Sequence, residues 1–122
     1  MECACTVGDG VDDKVDLLNG RFIKARKEHT CLECYRIIHK GEEYFREVWV
    51  YDGDMSTHKT CEDCYSLRQV FFSNGWYYGQ LIEDMSDFVG DCGGEVSIPC
   101  MLQLTARARG MVCDMIEDTW GD

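Results

Sequence analysis

Two Cys-x-x-Cys pairs, Cys31/Cys34 in HTCLECYRII and Cys61/Cys64 in HKTCEDCYSL, limit what this chain can fold into more than any other feature. A tight turn of that spacing brings two sulfurs close enough to share one ion. Two such turns complete the tetrahedral shell of a zinc held by four thiolates. The 26 residues between Cys34 and Cys61 exceed the roughly 15 to 20 of the shortest fingers. They suffice for a β-hairpin that leaves one pair and returns the chain to the other, so the cysteines dictate where two distant stretches meet.

That hairpin is legible in the sequence. From Glu43 to Tyr51, Phe45, Glu47, Trp49 and Tyr51 alternate with Tyr44, Arg46, Val48 and Val50. Asp52-Gly53 is a strong two-residue turn signal, and Met55 to Thr60 can return antiparallel. Residues 1–20 read as an irregular acidic lead-in and 21–25 as a short strand. Helical spacing begins after the second pair at Leu67, Val70 and Phe71, with Ser73-Asn74-Gly75 as a stop. A second helix is expected from about Tyr78 to Val89, then a break at Gly90 to Gly94. A short helix over 98–103 should follow Ser97, and a longer one over 106–118 should follow Thr105 and carry the stripe Ala108, Met111, Val112, Met115 and Ile116. The expected class is α+β. A treble-clef-like zinc finger (turn, hairpin, helix) over 21–73 precedes a small helical part over 74–122, the two forming one domain, 1–122.

The metal reading outweighs its rivals on chemistry. A redox dithiol needs only one pair, and rubredoxin-like iron turns generally carry Gly after the second Cys, where this chain has Tyr35 and Tyr65. His29, His39 and His58 lie near the pairs, but four thiolates already fill a tetrahedral shell. Such a closed shell leaves no position for water or substrate, so one structural Zn2+ is expected, without catalysis. A second site from Cys3, Cys5, Cys92 and Cys100 is the alternative use of the remaining cysteines. Cys3-x-Cys5 is an uncommon ligand spacing, and Cys100, beside Met101 and Leu102, reads as a small core residue, as does Cys113.

Charge narrows the partners. Across 122 residues the net charge is −11, yet residues 21–40 set six cations against Glu28 and Glu33, a local +4 that leaves −15 elsewhere. An acidic chain is repelled by nucleic acid and by anionic membranes unless its basic segment forms a patch of its own, and it is attracted to basic proteins. No apolar run reaches the length of a membrane span, and MECACTVGDGVDD lacks both a basic n-region and an apolar h-region. With an odd nine cysteines, a reducing cytoplasmic location is expected and no membrane partner.

The string KARKEHTCLECYRIIHKGEEY, then DGDMSTHKTCEDCYSLRQ, then GWYYGQLIEDM resembles a group of small proteins encoded by bacteriophages and prophages. In that group a basic segment ending near Lys-Glu-His precedes Cys-x-x-Cys, followed by Gly-Glu-x-Tyr, an Asp-Gly hairpin, Lys-Thr-Cys-x-x-Cys and a Tyr-Gly-x-Leu helix start. The likeness covers about residues 24–89. It implies a phage origin, a host-cytoplasm location and the ligand set Cys31, Cys34, Cys61 and Cys64. It carries no established activity. Tyr35 departs from the Gly that many such zinc turns carry.

Three kinds of function remain open. The first is an adaptor or inhibitor acting by protein contact, through acidic faces such as Glu83, Asp84, Asp87, Asp91 and Glu95, or Asp114, Glu117 and Asp118, that could occupy a basic groove on a host or defence factor. The second is a nucleic-acid module using Lys24, Arg26, Lys27, Arg36 and Lys40, with Tyr35 or Trp49 stacking on bases. The third, an HNH-type nuclease, needs a general-base His beside a second His or Asp ligand on the hairpin. EVWVYDGDMSTHK offers no such pair, so no enzyme is expected. The aromatic segment FFSNGWYYG allows a homodimer, with core packing as the plainer use.

Overall fold

The computed structural model describes residues 16–72 and 78–121. Its centre is the hairpin, β4 (Glu43–Tyr51) and β5 (Asp54–Cys61), paired from Tyr51↔Asp54 to Tyr44↔Cys61. Asp52 and Gly53 both have positive φ, 52° and 81°, as a two-residue type I′ turn requires, and this is why an Asp-Gly dipeptide serves here.

The strand expected over 21–25 is longer and starts earlier. β1 (Asp16–Lys24) runs antiparallel along β4, so the three-stranded sheet has order β1-β4-β5. Residues 16–20, read from composition as irregular, are strand because β4 offers them a partner edge; pairing with a neighbour overrides weak local propensity. A register shift between Leu17 and Asn19 marks a bulge. A two-residue ribbon, β2 (His29–Thr30) with β3 (Ile37–Ile38), carries the first cysteine turn.

β5 runs directly into α1 (Glu62–Phe71) at Cys61, the N-cap. Next comes α2 (Leu81–Asp91), three residues later than its expected start. Gly79 takes φ 82°, a left-handed residue that no α-helix contains, so the helix cannot begin at Tyr78. Gly93 and Gly94, at φ 63° and 81°, end it where the glycine cluster foretold. α3 (Ile98–Leu102) and α4 (Ala106–Trp120) close the chain. Thr105 caps α4 by accepting the Ala108 amide at 3.2 Å, but Ser97 caps α3 without a side-chain bond.

The fold is thus α+β, a small sheet with four helices among the described residues. Its core is continuous, running from Cys31, Ile38 and Tyr44 through Leu67 and Phe71 to Leu81, Met85, Val89, Ala108 and Val112. Phe71 and Phe72 of the aromatic segment are buried in it, while Ser73 to Tyr77 lie outside the described residues. Cys113 is exposed, contrary to the core role expected. The buried stripe of α4 passes through Ala108 and Val112, and one further residue turns the side chain away from it. No helix among the described residues is long and apolar enough to cross a membrane.

Candidate metal centre

The two cysteine turns converge. One sulfur from each of Cys31, Cys34, Cys61 and Cys64 lies within 4.8 Å of every other, and three of the four residues are buried. None of the four is in a disulfide. Cys34 Sγ and Cys61 Sγ, from opposite turns, are 3.8 Å apart, matching the edge of about 3.8 Å expected for a tetrahedron with metal–sulfur bonds of about 2.3 Å.

Backbone amides point at these sulfurs: Glu33 N and Cys61 N donate to Cys31 Sγ at 3.4 and 3.3 Å, and Cys64 N donates to Cys61 Sγ at 3.4 Å. Such donors favour thiolate over thiol. Without a cation, however, the four cannot all ionise. Hydrogen bonds from Cys34, then Cys61 and Cys64, hold the Cys31 thiol far below its usual range. Against an upward push from Cys31, bonds from Cys61 and Cys64 bring Cys34 down to about 7. Cys61 and Cys64 are pushed up, in each case first by the bond to Cys31. A divalent cation is what would let all four carry charge together, so the donor set fits a soft, four-coordinate metal.

Each cysteine turn also holds a carboxylate just before its second Cys, and each carboxylate docks a helix. Glu33 Oε1 accepts the amides of Gly79 and Leu81 at 3.0 and 3.2 Å, fixing the start of α2. Asp63 Oδ1 accepts Thr105 Oγ1 at 2.7 Å, fixing the cap of α4. The cysteine turns are therefore the anchorage of the helical part. These two roles were missed in the sequence, although an acid at the same place in CLEC and CEDC was a visible signal.

Behind the turns lies a buried charge network. Arg68, 1% exposed, donates to Glu47 Oε1 at 2.7 Å and to Thr60 Oγ1 at 3.1 Å, and sits 3.6 Å from Glu33 Oε2. Tyr78 Oη and Trp49 Nε1 donate to the other Glu47 oxygen at 2.8 and 3.2 Å. Burial, ahead of any other influence, pushes the Glu33 carboxyl up. Glu47 alternates with Phe45 and Trp49 on the face toward α1, and a carboxylate on an apolar face must find a buried partner.

The other candidates separate. His58 stacks on the Tyr78 ring at 3.8 Å and does not join the sulfur cluster. His29 is held below the usual imidazole range by burial first, then by the charges of Lys59 and Lys27. Arg36, expected on a basic surface, makes a bidentate pair with Glu42 at 3.1 and 2.7 Å and lies 3.6 Å from Asp63, so its charge is spent internally. Trp49 is tied to Glu47. Cys92 and Cys100 are disulfide-bonded, a state that withdraws both from metal binding and departs from the reduced chain a cytosolic location implies. Cys3 and Cys5 lie outside the described residues, and no second cluster forms among the described ones.

Tyr35 has the most unusual backbone at the site. It follows Cys34 at φ 62°, the left-handed conformation that Gly adopts without cost and that an ordinary side chain resists. Its ring is 71% exposed. It lines a groove of about 710 Å³ between the first cysteine turn, α2 and α4, together with Ile82, Met111, Glu83, Asp87 and Arg107. Asp84 beside them is pushed up by burial first and then by Asp87. Comparison with protein families, curated proteins and solved structures gave no match to this chain.

Proposed function

We propose that the four cysteines hold one structural zinc ion in a treble-clef-like finger, and that the protein works by contact with a basic protein partner. The observation that carries this reading is Tyr35. A large aromatic side chain occupies a left-handed position at a cost of roughly 1 to 2 kcal/mol, although Gly would fit, and the ring is spent on solvent. Strain held at an exposed site beside a groove that offers Ile82 and Met111 for apolar contact, and Glu83 and Asp87 against the single cation Arg107, is what a binding surface needs. An aromatic anchor for a partner's side chain and carboxylates for its cations fit such a surface. The closed sulfur shell supports a structural ion, which when bound would neutralise the thiolates and fix both turns. The resemblance to small phage proteins supports a phage origin and a host or defence factor as the target.

The test uses the metal-loaded chain. Metal analysis of the purified protein should give one zinc per chain, lost in Cys34→Ser. Tyr35→Gly should keep the zinc and unfold at higher temperature while losing the proteins that wild type captures from host lysate at low salt. A Tyr35→Gly variant that captures the same proteins as wild type would sink the contact reading. Iron in place of zinc would sink the metal assignment.

A further inference from the structure

Like charges face one another across the sheet. Arg21 on β1 stands opposite Arg46 on β4, and Arg46 stands opposite Lys59 on β5. Residues directly opposite share a face, and strands lie about 4.8 Å apart, so three cations form a row about 10 Å long. Arg21 also enters a groove of about 840 Å³ between the end of β1 and the first cysteine turn, whose walls include Lys24, Arg26, Lys27 and Lys40 and no carboxylate. Row and groove are continuous, and charges from both, Lys59 and Lys27, bear on His29 between them.

These seven cations are more than half of the 12 Lys and Arg in the chain. None of them makes an ion pair among the described residues, whose pairs involve Arg36, His39, Arg68 and Arg107. Of the nearest carboxylates, Glu43 stands opposite Lys24 at the end of β1 without closing to an ion pair, and no carboxylate stands opposite Arg21, Arg46 or Lys59. Glu28 pairs with His39, and Glu47 points to Arg68. Like charges opposite one another weaken a sheet, so a row of three that no partner among the described residues relieves suits an external anion.

We propose that this face binds the phosphate backbone of a nucleic acid, without reading its bases. The proposal uses none of the residues of the Tyr35 groove and stands independently of the protein-contact reading. An extended row of cations suits a polymer of evenly repeated charge. A broad anionic membrane would also meet the −18 that remains when these seven charges are set aside from the net −11. A strand can lie along the face alone, because charges farther away than a Debye length of about 8 Å are screened at physiological salt. Base readout by helix insertion is disfavoured because α1 opens with Glu62 and Asp63.

The experiment is fluorescence anisotropy of labelled 20-residue oligothymidylate, and of a 20-base-pair duplex, with the zinc-loaded full chain from 20 to 200 mM salt. Binding of either form is expected, with log K falling against log salt by about 0.7 per neutralised phosphate for the single strand or about 0.9 for the duplex. The triple variant Arg21→Gln/Arg46→Gln/Lys59→Gln should lose at least tenfold in affinity and flatten the single-strand slope by about 2. Should that sheet variant fail to hold zinc, Lys24→Ala/Arg26→Ala/Lys27→Ala, confined to the strand end and the exposed residues after it, reads the same loss. Arg107→Gln should change nothing. No binding at 20 mM salt, equal binding by wild type and the cation variants, or tighter binding of polyglutamate than of either oligonucleotide overturns the proposal. The last outcome assigns the face to an acidic protein.

Discussion

The sheet half and the helical half of this molecule are held by different chemistry. Between residues 20 and 72 the buried groups include three of the four clustered cysteines together with Glu33, Glu47, Thr60, Asp63 and Arg68, so its interior is sulfur and charge as much as hydrocarbon. From 81 onward the buried set is mainly apolar, with Leu81, Met85 and Val89 of α2 facing Ala108 and Val112 of α4. A core of the second kind is stable wherever water is excluded. A core of the first kind is stable only while every charge has its partner and the thiolates have their cation. Because Glu33 and Asp63 hang α2 and α4 on the cysteine turns, the helices depend on the turns, and under the zinc reading proposed above the turns depend on the ion.

The largest effect should follow from removing the metal. Chelation, or Cys31→Ser, should unfold residues 29–72 and fray the first turns of α2 and α4, while the α2 and α4 mid-helix amides keep partial protection from hydrogen exchange. Protons give the sharper measure. If the apo cluster stayed assembled, Cys31 would already be ionised and Cys34, at about 7, half ionised. Zinc binding at pH 7 would then release about two to three protons, chiefly from Cys61 and Cys64, whose pKa values are raised. If the apo half unfolds, all four return to ordinary values near 8.5, and release approaches about four. We expect the larger number, with affinity falling as pH falls. Calorimetry in buffers of different ionisation enthalpy counts the protons, and about two to three would show that the sheet half stands without metal.

The next contrast sets one buried residue against another. Glu47→Ala removes the shortest charged contact of the buried Arg68 guanidinium and the acceptor of Tyr78 and Trp49, so it should cost about 3 to 5 kcal/mol. It should also weaken zinc retention, since Arg68 reaches Glu33 in the first cysteine turn. Met85→Ala, at 0% exposure, should cost a similar 2 to 5 kcal/mol, roughly, by cavity formation and leave zinc affinity unchanged. Denaturant unfolding and a competitive zinc assay on both variants check this. Equal losses of zinc affinity would erase the distinction between the halves.

What was legible in the sequence follows the same division. The cysteine spacing located the cluster, and the Asp-Gly turn set the hairpin register residue by residue, because both are local rules with few solutions. The α4 stripe was legible for the same reason. The extra length of β1 was not, since residues 16–20 are strand only by virtue of β4. Nor was the role of Glu33, whose partners Gly79 and Leu81 are 46 and 48 residues away. Pairing across such distances leaves no periodic trace. Arg36 looked like surface charge and is consumed by Glu42, while Arg46 and Lys59, scattered in sequence, become neighbours only once the register is known.

A smaller effect should come from the link between the halves. Asp63→Ala removes the acceptor of Thr105 and a neighbour of both Arg36 and Arg107. The expected cost is about 1 to 3 kcal/mol, with faster hydrogen exchange confined to the first turn of α4 and no change at the middle of β4. Exchange that instead accelerates evenly across the molecule would mean the carboxylate supports the whole fold rather than one junction.

The smallest expected effect has the opposite sign. Arg46 stands between Arg21 and Lys59, and Thr, a good strand residue, would remove both repulsions. Arg46→Thr should therefore stabilise the protein by about 0.2 to 1 kcal/mol, read as a rise in the unfolding temperature at low salt that shrinks as salt screens the row. Oligothymidylate should raise the unfolding temperature of wild type more than that of the variant, because a ligand stabilises in proportion to its affinity for the folded state. A variant no more stable than wild type at low salt would mean the row carries no strain, and the sheet half would lose its clearest sign that stability is given up there for binding.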